Sequence, residues 1–388
     1  MSNARNLANL LGTGTQITTA DIADGAFQAN KNLIINGSMQ LDQRGNASAT
    51  NLTGGGVFTT DRFFGQTVGA GLTVSAEQST TVPSGTNFQY STKHTVTAAA
   101  SGTDHWTRLT TRLEGYDIAG AGLNTSGNKL TLSFYVQSTR TGTHTIGLST
   151  GYRAGASYDQ AAITLTYTIN SANTWERKTI AFDSYDTGGS AAWNTDNNLG
   201  VEIVFTAGQG ATAHGSGSIN SAFNTWEDFS STTFVHPKST SDNNNWGTST
   251  SDRWYITGIQ LEVGETATPF EHRSFGDELA RCQRYFEKSY SDSTAPGTIT
   301  ITGVIRFRAA SSSVEFPLSF LVKKRAAPTV TLYSYATGAS GNIRDVSAGS
   351  DGAAAVASIG EIWCFATKNT GGSDGNQYAI HFTADAEL

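Results

Sequence analysis

The sequence predicts an all-β protein: an antiparallel jelly-roll sandwich, a short joining helix, and a second, smaller β-sandwich, preceded by a short N-terminal helix. Three observations carry that expectation. Apolar and polar residues alternate with period two along much of the chain, which puts one face of a strand in a core and the other in water. Gly- and Ser-rich turns separate these runs, without the helical segments that parallel strands need between them. Charged residues are 15% of 388, against about 25% in ordinary domains. The polar surface must therefore come from Ser, Thr, Asn and Gly, which disfavours long Glu- and Lys-bearing surface helices.

Residues 1–30 form the first element, an attachment segment. Leu7, Leu10 and Leu11 make a short apolar face that Gly12 and Gly14 close. A helix this short gains its order only from a partner, because nucleation is costly. Residues 31–273 are the first sandwich. In LTLSFYV, Leu130, Leu132, Phe134 and Val136 alternate with polar residues, and Ile163, Leu165, Tyr167 and Ile169 repeat the device. Lys178–Phe182 and Val201–Phe205 are shorter versions. Between Ala207 and Asp252 the periodicity fails, which is unusual for so long a stretch in a compact domain. Its rings (Phe223, Trp226, Phe229, Phe234, Trp246) mark it as anchored loops, with one further strand at Thr232–Val235. Next come Ile256, Ile259, Leu261 and Val263, a strand that Pro269 ends.

The joint is placed at 274–290. Ser274 or Asp277 caps a helix in which Phe275, Leu279, Cys282 and Phe286 fall on one stripe. Residues 291–388 are the second, distal sandwich, patterned by Ile299 and Ile301, by Val314, Phe316, Leu318 and Phe320, by Val330 and Leu332, by Ile362 and Cys364, and by Tyr378, Ile380 and Phe382. Lys323-Lys324-Arg325, just before Pro328, reads as a solvated turn.

Several functions are disfavoured. A net charge of −7, with no basic block longer than Lys323–Arg325, leaves no footprint for nucleic-acid phosphates. No apolar run reaches the roughly 18 residues of a membrane-spanning helix, so no insertion is expected. The N-terminus lacks the apolar core of a secretory leader; a hydroxyl- and amide-rich surface without an export signal suits a particle released by lysis. Cys282 and Cys364 read as reduced apolar fillers. The seven histidines show no metal-ligand spacing. Calcium stays open without assigned ligands, and no cofactor is expected.

Two kinds of site remain. Asp183, Asp186, Glu202, Glu227, Asp228 and Glu262 offer carboxylates for glycoside cleavage, which needs two of them at a set separation; carboxylates beside turns are ordinarily just exposed. With no nucleophile elbow and no phosphate-cradling loop, no catalytic residue is assigned and no enzyme is expected. Glu271-His272-Arg273 reads as the approach to the helix. Trp193, Trp226 and Trp246 lie among Asn and Asp residues, the pairing that stacks on a sugar face and bonds its hydroxyls. Their plainer role is to plug loops onto the sandwich, although loops often carry binding residues. Tyr333 and Tyr335, beside a Gly-rich turn, are weaker glycan candidates. Trp106, Trp175, Trp254 and Trp363 read as strand packing.

The wording of the chain adds a resemblance. GIQLEVG followed by ATPFEHRSFGDELARCQRYF resembles a signature of bacteriophage tail-fibre proteins. NLIINGSMQLDQRG resembles the leading strand of the same fibre domain, Asp61-Arg62-Phe63 the step after it, SNARNLANLLGTGTQITTADIADGAF an attachment segment, and YAIHFTADAEL the C-terminal close. Thr206–Asp252 matches nothing nameable. The resemblance implies a carbohydrate-binding-module-like jelly roll in a homotrimer, packed through Leu7, Leu10 and Leu11 and through the Phe275, Leu279, Cys282, Phe286 stripe. It implies attachment to tail or baseplate proteins through the N-terminus, a bacterial surface polysaccharide as receptor, and a place in the virion after synthesis in the host cytoplasm. A structural adaptor for a separate receptor-binding protein is the alternative, and a polysaccharide depolymerase a lesser one.

Overall fold

The computed structural model describes residues 31–45, 49–69, 71–121, 123, 127–150, 159–185, 193–212, 223–230, 237–240, 245–310, 314–368 and 372–388. The attachment segment with Leu7, Leu10 and Leu11, and the strand expected at Thr232–Val235, lie outside these residues.

Thirteen strands precede the joining helix among the described residues: β1 (Thr50–Asn51), β2 (Val57–Thr60), β3 (Phe63–Val68), β4 (Thr73–Ser79), β5 (Ser91–Ala98), β6 (Trp106–Glu114), β7 (Lys129–Ser138), β8 (Gly142–Thr150), β9 (Asp159–Ile169), β10 (Glu176–Asp183), β11 (Leu199–Gln209), β12 (Glu227–Ser230) and β13 (Arg253–Val263). A one-and-a-half-turn helix, α1 (Gly115–Gly120), follows β6. The strands make a six-stranded sheet, in order β1-β4-β5-β13-β7-β10, and a seven-stranded sheet, in order β12-β9-β8-β11-β6-β3-β2. The alternation read in the sequence builds the core between them. Leu130, Leu132, Phe134 and Val136 of β7 and Ile163, Leu165, Tyr167 and Ile169 of β9 are all buried in one cluster. Phe134 meets Tyr167 edge-on at 5.1 Å across the gap. The all-β sandwich expected from sequence is the observed fold.

The segment 32–45 is a difference: it is no ladder strand. β13 pairs with β5 only through residues 253–256. Beyond a bulge at Thr257–Gln260, residues 32–37 take the place of β5. Leu33 N–H donates to Leu261 O at 2.9 Å and Ile259 N–H to Gly37 O at 2.9 Å. Two glycines permit this docking. A Cβ on Gly37 would stand 2.0 Å from Ile259 O, and Gly258 adopts φ +63° where a Cβ would strike the Phe88 ring.

Helix α2 (Phe275–Gln283) starts where the sequence placed it. Ser274 Oγ accepts from Asp277 N–H at 3.2 Å, and Asp277 and Glu278 occupy the first turn, where the helix dipole favours anions. It ends at Gln283, so the four-residue stripe is not a helix face. Phe286 opens β14 (Phe286–Lys288) and pairs with Asp385. Phe286 and Cys282 are buried within the chain, so neither is available to pack against another copy; Phe275 is 45% exposed and Leu279 half-buried.

The second unit thus begins at Phe286. Its further strands are β15 (Ile305–Arg308), β16 (Glu315–Ser319), β17 (Thr329–Tyr333), β18 (Asn342–Asp345), β19 (Ser350–Ala357), β20 (Trp363–Lys368) and β21 (Gln377–Asp385). The sheet runs β14-β21-β18-β19-β20-β16, and β15 and β17 also pair with β21. Val314, Leu318, Leu332, Cys364, Tyr378, Ile380 and Phe382 form its core. Ile299 and Ile301, by contrast, are 64% and 68% exposed in a loop of turns, because a three-residue alternation is too short to recruit a partner strand. Lys324 and Arg325 are not solvated. Lys324 is fully buried, with Nζ on Glu287 at 2.5 Å, and Arg325 donates to Ala386 O at 2.8 Å and to Asn197 O at 2.9 Å. Burial pushes the Cys364 thiol up to about 11 and the Cys282 thiol well above its ordinary value; both cysteines are free.

The two units are welded rather than hinged. Buried Arg62, at φ +71°, lays its guanidinium 3.4 Å from the Tyr285 ring centre and pairs with Glu387. Gln43 Nε2 bridges Asp61 Oδ2 at 2.7 Å and Phe286 O at 2.9 Å. Arg284 grips Glu114 with two bonds of 2.7 and 2.8 Å. Arg44 lies between the rings of Phe58 and Phe286, at 4.1 and 3.8 Å. Removing one member would leave its buried partner uncompensated, which is costly.

Candidate functional site

The open side of the sandwich lies between its two edge strands, β10 of one sheet and β12 of the other. Trp226 immediately precedes β12, whose first residue pairs with Ala162 of β9. The chain reaches it through Asn224, which adopts φ +62° and donates its N–H to Thr164 O at 2.8 Å. Trp226 Nε1 donates to Asp183 O at 2.7 Å, fastening this loop to the end of β10. Tyr185 backs the ring at 5.6 Å and Trp193 meets it edge-on at 6.2 Å.

In front of Trp226 is an open depression of about 600 Å³, bounded by Lys129, Asp183, Asn224, Thr225 and Glu265. A second, of about 490 Å³, shares Lys129 and Glu265 and continues past Gly127, Asn128 and Thr268. A third, of about 460 Å³, shares Val263 with the second and ends among Lys31, Tyr116, Asp117 and Arg281. Lys129 and Glu265 line both of the first two, which together make one trough, and the third adjoins it at Val263. Lys129 pairs with Asp183, and that bond holds the ammonium above its ordinary value. At the far end, burial and the neighbouring Glu114 carboxylate push Asp117 above the usual carboxylate range. The trough therefore offers one fixed indole and a rim of amide, hydroxyl and paired ionic groups, suited to stacking and hydrogen bonding.

Of the residues singled out in sequence, the structure brings Trp193 and Trp226 together. Trp193 is buried behind Trp226, so it supports the site rather than touching a ligand. Trp246 is a correction. It is wholly buried, with Nε1 bonded to Arg253 O at 3.3 Å, and it plugs the end of the sandwich against Gly208. Tyr333 and Tyr335 stand half-buried in the second unit, against Tyr290 at 6.1 Å and beneath Arg306 at 5.7 Å respectively, and neither joins the trough. Sequence reasoning missed Lys129, Asn224 and Glu265, which lie far apart in the chain; Asn224, in the tract without periodicity, and Glu265, within 254–290, sat in segments already singled out, but nothing marked them as site residues.

The carboxylates considered for catalysis serve other partners. Glu202 accepts from Arg112 Nε at 2.5 Å. Glu262 accepts from Thr268 N–H at 2.9 Å and Thr268 Oγ1 at 2.6 Å. Asp186 and the side chain of Asp228 lie outside the described residues. Glu271 and Arg273 bind the 32–34 segment: Glu271 accepts from Asn32 N–H at 2.9 Å and Arg273 donates to Ile34 O at 3.2 Å. Among the described residues no group of three His, Cys, Asp or Glu side chains is placed to hold a metal ion. No described helix is long and apolar enough to cross a membrane.

No protein-family profile matches the chain, and no curated protein matches it. Among solved structures, it is similar to the enzymatically active domain of bacteriophage CBA120 tailspike protein 4, at 14% identity and TM-score 0.32; the match covers 60% of this chain and 22% of that one. It is similar to a family 11 carbohydrate-binding module from Clostridium thermocellum in complex with a mixed-linked tetrasaccharide (11%, TM-score 0.26, 52% and 88% covered). A putative sugar-binding protein from Bacteroides thetaiotaomicron is a third (11%, TM-score 0.30, 60% and 100% covered). Likenesses of this degree carry no role over to this chain.

Proposed function

We propose that this chain is a bacteriophage tail fibre that attaches the virion to its host by recognising a surface glycan, such as lipopolysaccharide, in the trough beside Trp226. The observation that carries the proposal is the fixed, half-buried indole of Trp226 on the wall of an open trough rimmed by Asn224, Thr225, Lys129 and Glu265. A sugar ring presents an apolar face to such an indole and hydroxyls to such a rim. Each site would bind weakly, and several copies on one particle would multiply the strength. The tail-fibre wording of Trp254–Tyr290 supports a homotrimer held to tail or baseplate proteins through residues 1–30, placed in the virion and made in the host cytoplasm. The role is binding without cleavage, since Glu202, Glu262 and Asp183 already serve partners within the chain.

One observation favours the adaptor as a second reading. Leu321 is 80% exposed on the second unit, near Ile362 and Trp363, a surface fit for a docked protein. The experiment is binding of the full chain and of Trp226→Ala to host cells, before and after glycan stripping. Glycan recognition predicts that stripping abolishes binding and that Trp226→Ala lowers it about tenfold, a loss of about 1.4 kcal/mol, with the fold intact. Full binding by Trp226→Ala would remove the trough as the site; binding only through a second tail protein would favour the adaptor.

A further inference from the structure

The solvent face of the six-stranded sheet carries a second set of rings. Cross-strand pairing lines up Lys93 of β5, Tyr255 of β13 and Gln137 of β7 in one row. Tyr135 and Arg177 form the row beside it, which ends at Thr257, wholly buried with its hydroxyl on Tyr90 O at 2.7 Å. Trp175 precedes β10 by one residue and brings its ring 6.1 Å from that of Tyr255. Tyr135 continues the surface, 5.5 Å from Phe88, which in turn meets Phe270 at 5.0 Å. Trp175, Tyr255 and Tyr135 are each half-buried. The Trp175 indole N–H is turned inward, shielded from water, so the ring offers its face and edge rather than its donor.

This platform runs into the trough. Arg177 donates to Thr268 O at 2.7 Å, and Thr268 lines the middle depression. The outward side chains of edge strand β10, Arg177, Thr179, Ala181 and Asp183, are exposed and lead from Trp175 to the Trp226 wall. Eight residues at about 3.3 Å each make a track of about 26 Å. Its chemistry selects the occupant. The exposed positions of the two rows hold aromatic, amide and cationic side chains but no aliphatic one, flat ring faces beside hydrogen-bonding groups that match the apolar face and the hydroxyls of a sugar. The charges along the track nearly cancel: Lys93 pairs with Glu77 at 2.6 Å and Lys129 with Asp183, and the remaining Arg177, held by a carbonyl, is offset by the opposite charge of Glu265 on the trough rim.

We infer that the ligand is an extended, neutral polysaccharide chain lying along β10, stacked on Trp226 at one end and on Trp175 and Tyr255 at the other. This rests on the trough being a glycan site. The probe is size-fractionated polysaccharide, released by mild acid from the lipopolysaccharide of a strain that the full-length protein binds. Native affinity is expected to rise at least tenfold from the shortest to the longest fraction and to be insensitive to added salt. Trp175→Ala/Tyr255→Ala, and Thr179→Arg as an exposed block midway, are expected to keep short-fragment binding and lose the gain with length. Tyr255→Phe keeps the ring and should behave as native. A native length dependence in both the double variant and Thr179→Arg would overturn the inference while leaving the trough standing. Strong salt sensitivity would overturn the neutral assignment. Native binding by Trp226→Ala would overturn the trough and the track together.

Discussion

The weld between the two units and the trough beside Trp226 are built from the same residue types and do opposite things. In the weld and the layer of the second unit beneath it, Arg62 and Arg284 meet Glu387 and Glu114 beside the Tyr285 ring, and Lys324 meets Glu287 beside Phe320; the acidic partners are almost wholly buried. In the trough, Lys129 and Asp183 pair beside Trp226 with side chains 41% and 66% exposed. Buried, such groups have no other partner and lock two domains. Half exposed, they retain hydrogen-bonding capacity that water, or a sugar hydroxyl, can take. The difference lies in solvent access, which no list of residue types records.

The largest expected effect comes from breaking the weld. Arg62→Ala leaves the buried Glu387 only Arg44, at 3.3 Å, takes the cation off the Tyr285 ring, and should cost up to about 3–5 kcal/mol, read as a lower denaturation midpoint. Trp246→Ala should cost a similar 3–5 kcal/mol through the cavity it leaves, with glycan binding per folded molecule unchanged; a binding loss without a stability loss would return Trp246 to the site.

A buried base with no counter-charge supplies the next effect. His94 lies wholly inside the sandwich, against the Trp254 ring at 5.3 Å, and burial lowers its pKa from 6.5 to about 3. Below about pH 6.5 the unfolded chain binds a proton that the folded chain refuses until about pH 3. Stability present above that window is therefore lost on acidification through it, at about 1.4 kcal/mol per pH unit. Chemical denaturation at several pH values should show a shallower slope in His94→Gln; an equal slope would remove His94 as the source.

The last test sets a large effect against a null one in neighbouring residues on either side of the contrast. Lys324→Ala should lower the denaturation midpoint markedly, because Glu287 is left buried and unpaired. Lys323→Ala should leave it in place, because that side chain is 65% exposed beside Glu361. Equal effects would mean that burial does not separate weld from surface.

Much of the fold was legible because it rests on local periodicity. Leu130–Val136 and Ile163–Ile169 alternate strictly, and the Ser274 cap needs only residues three apart. The failures are tertiary. Phe286 fits the helical stripe by spacing, yet β21 recruits it into a strand. Lys324 looks solvated until Glu287, from another element, meets it. Trp254 and Tyr255 are adjacent, and only the sheet decides that the first points into the core and the second out to solvent. The trough was barely legible for the same reason: Lys129, Asp183, Asn224 and Glu265 meet only where the edges of the two sheets come together. The segments with tail-fibre wording, 32–45 and 254–290, turn out to hold the bulge of β13 and the weld, whereas Asn224 and Trp226 come from a stretch with no nameable resemblance.

The most direct test is titration of the native chain and Trp226→Ala against polysaccharide from a strain the protein binds, by calorimetry, with folding checked on the same samples. Binding by the native chain is expected, with a loss of about tenfold or more in the variant at unchanged stability. Equal affinity in the two proteins would contradict it and move the search to the exposed surface around Leu321 and Trp363.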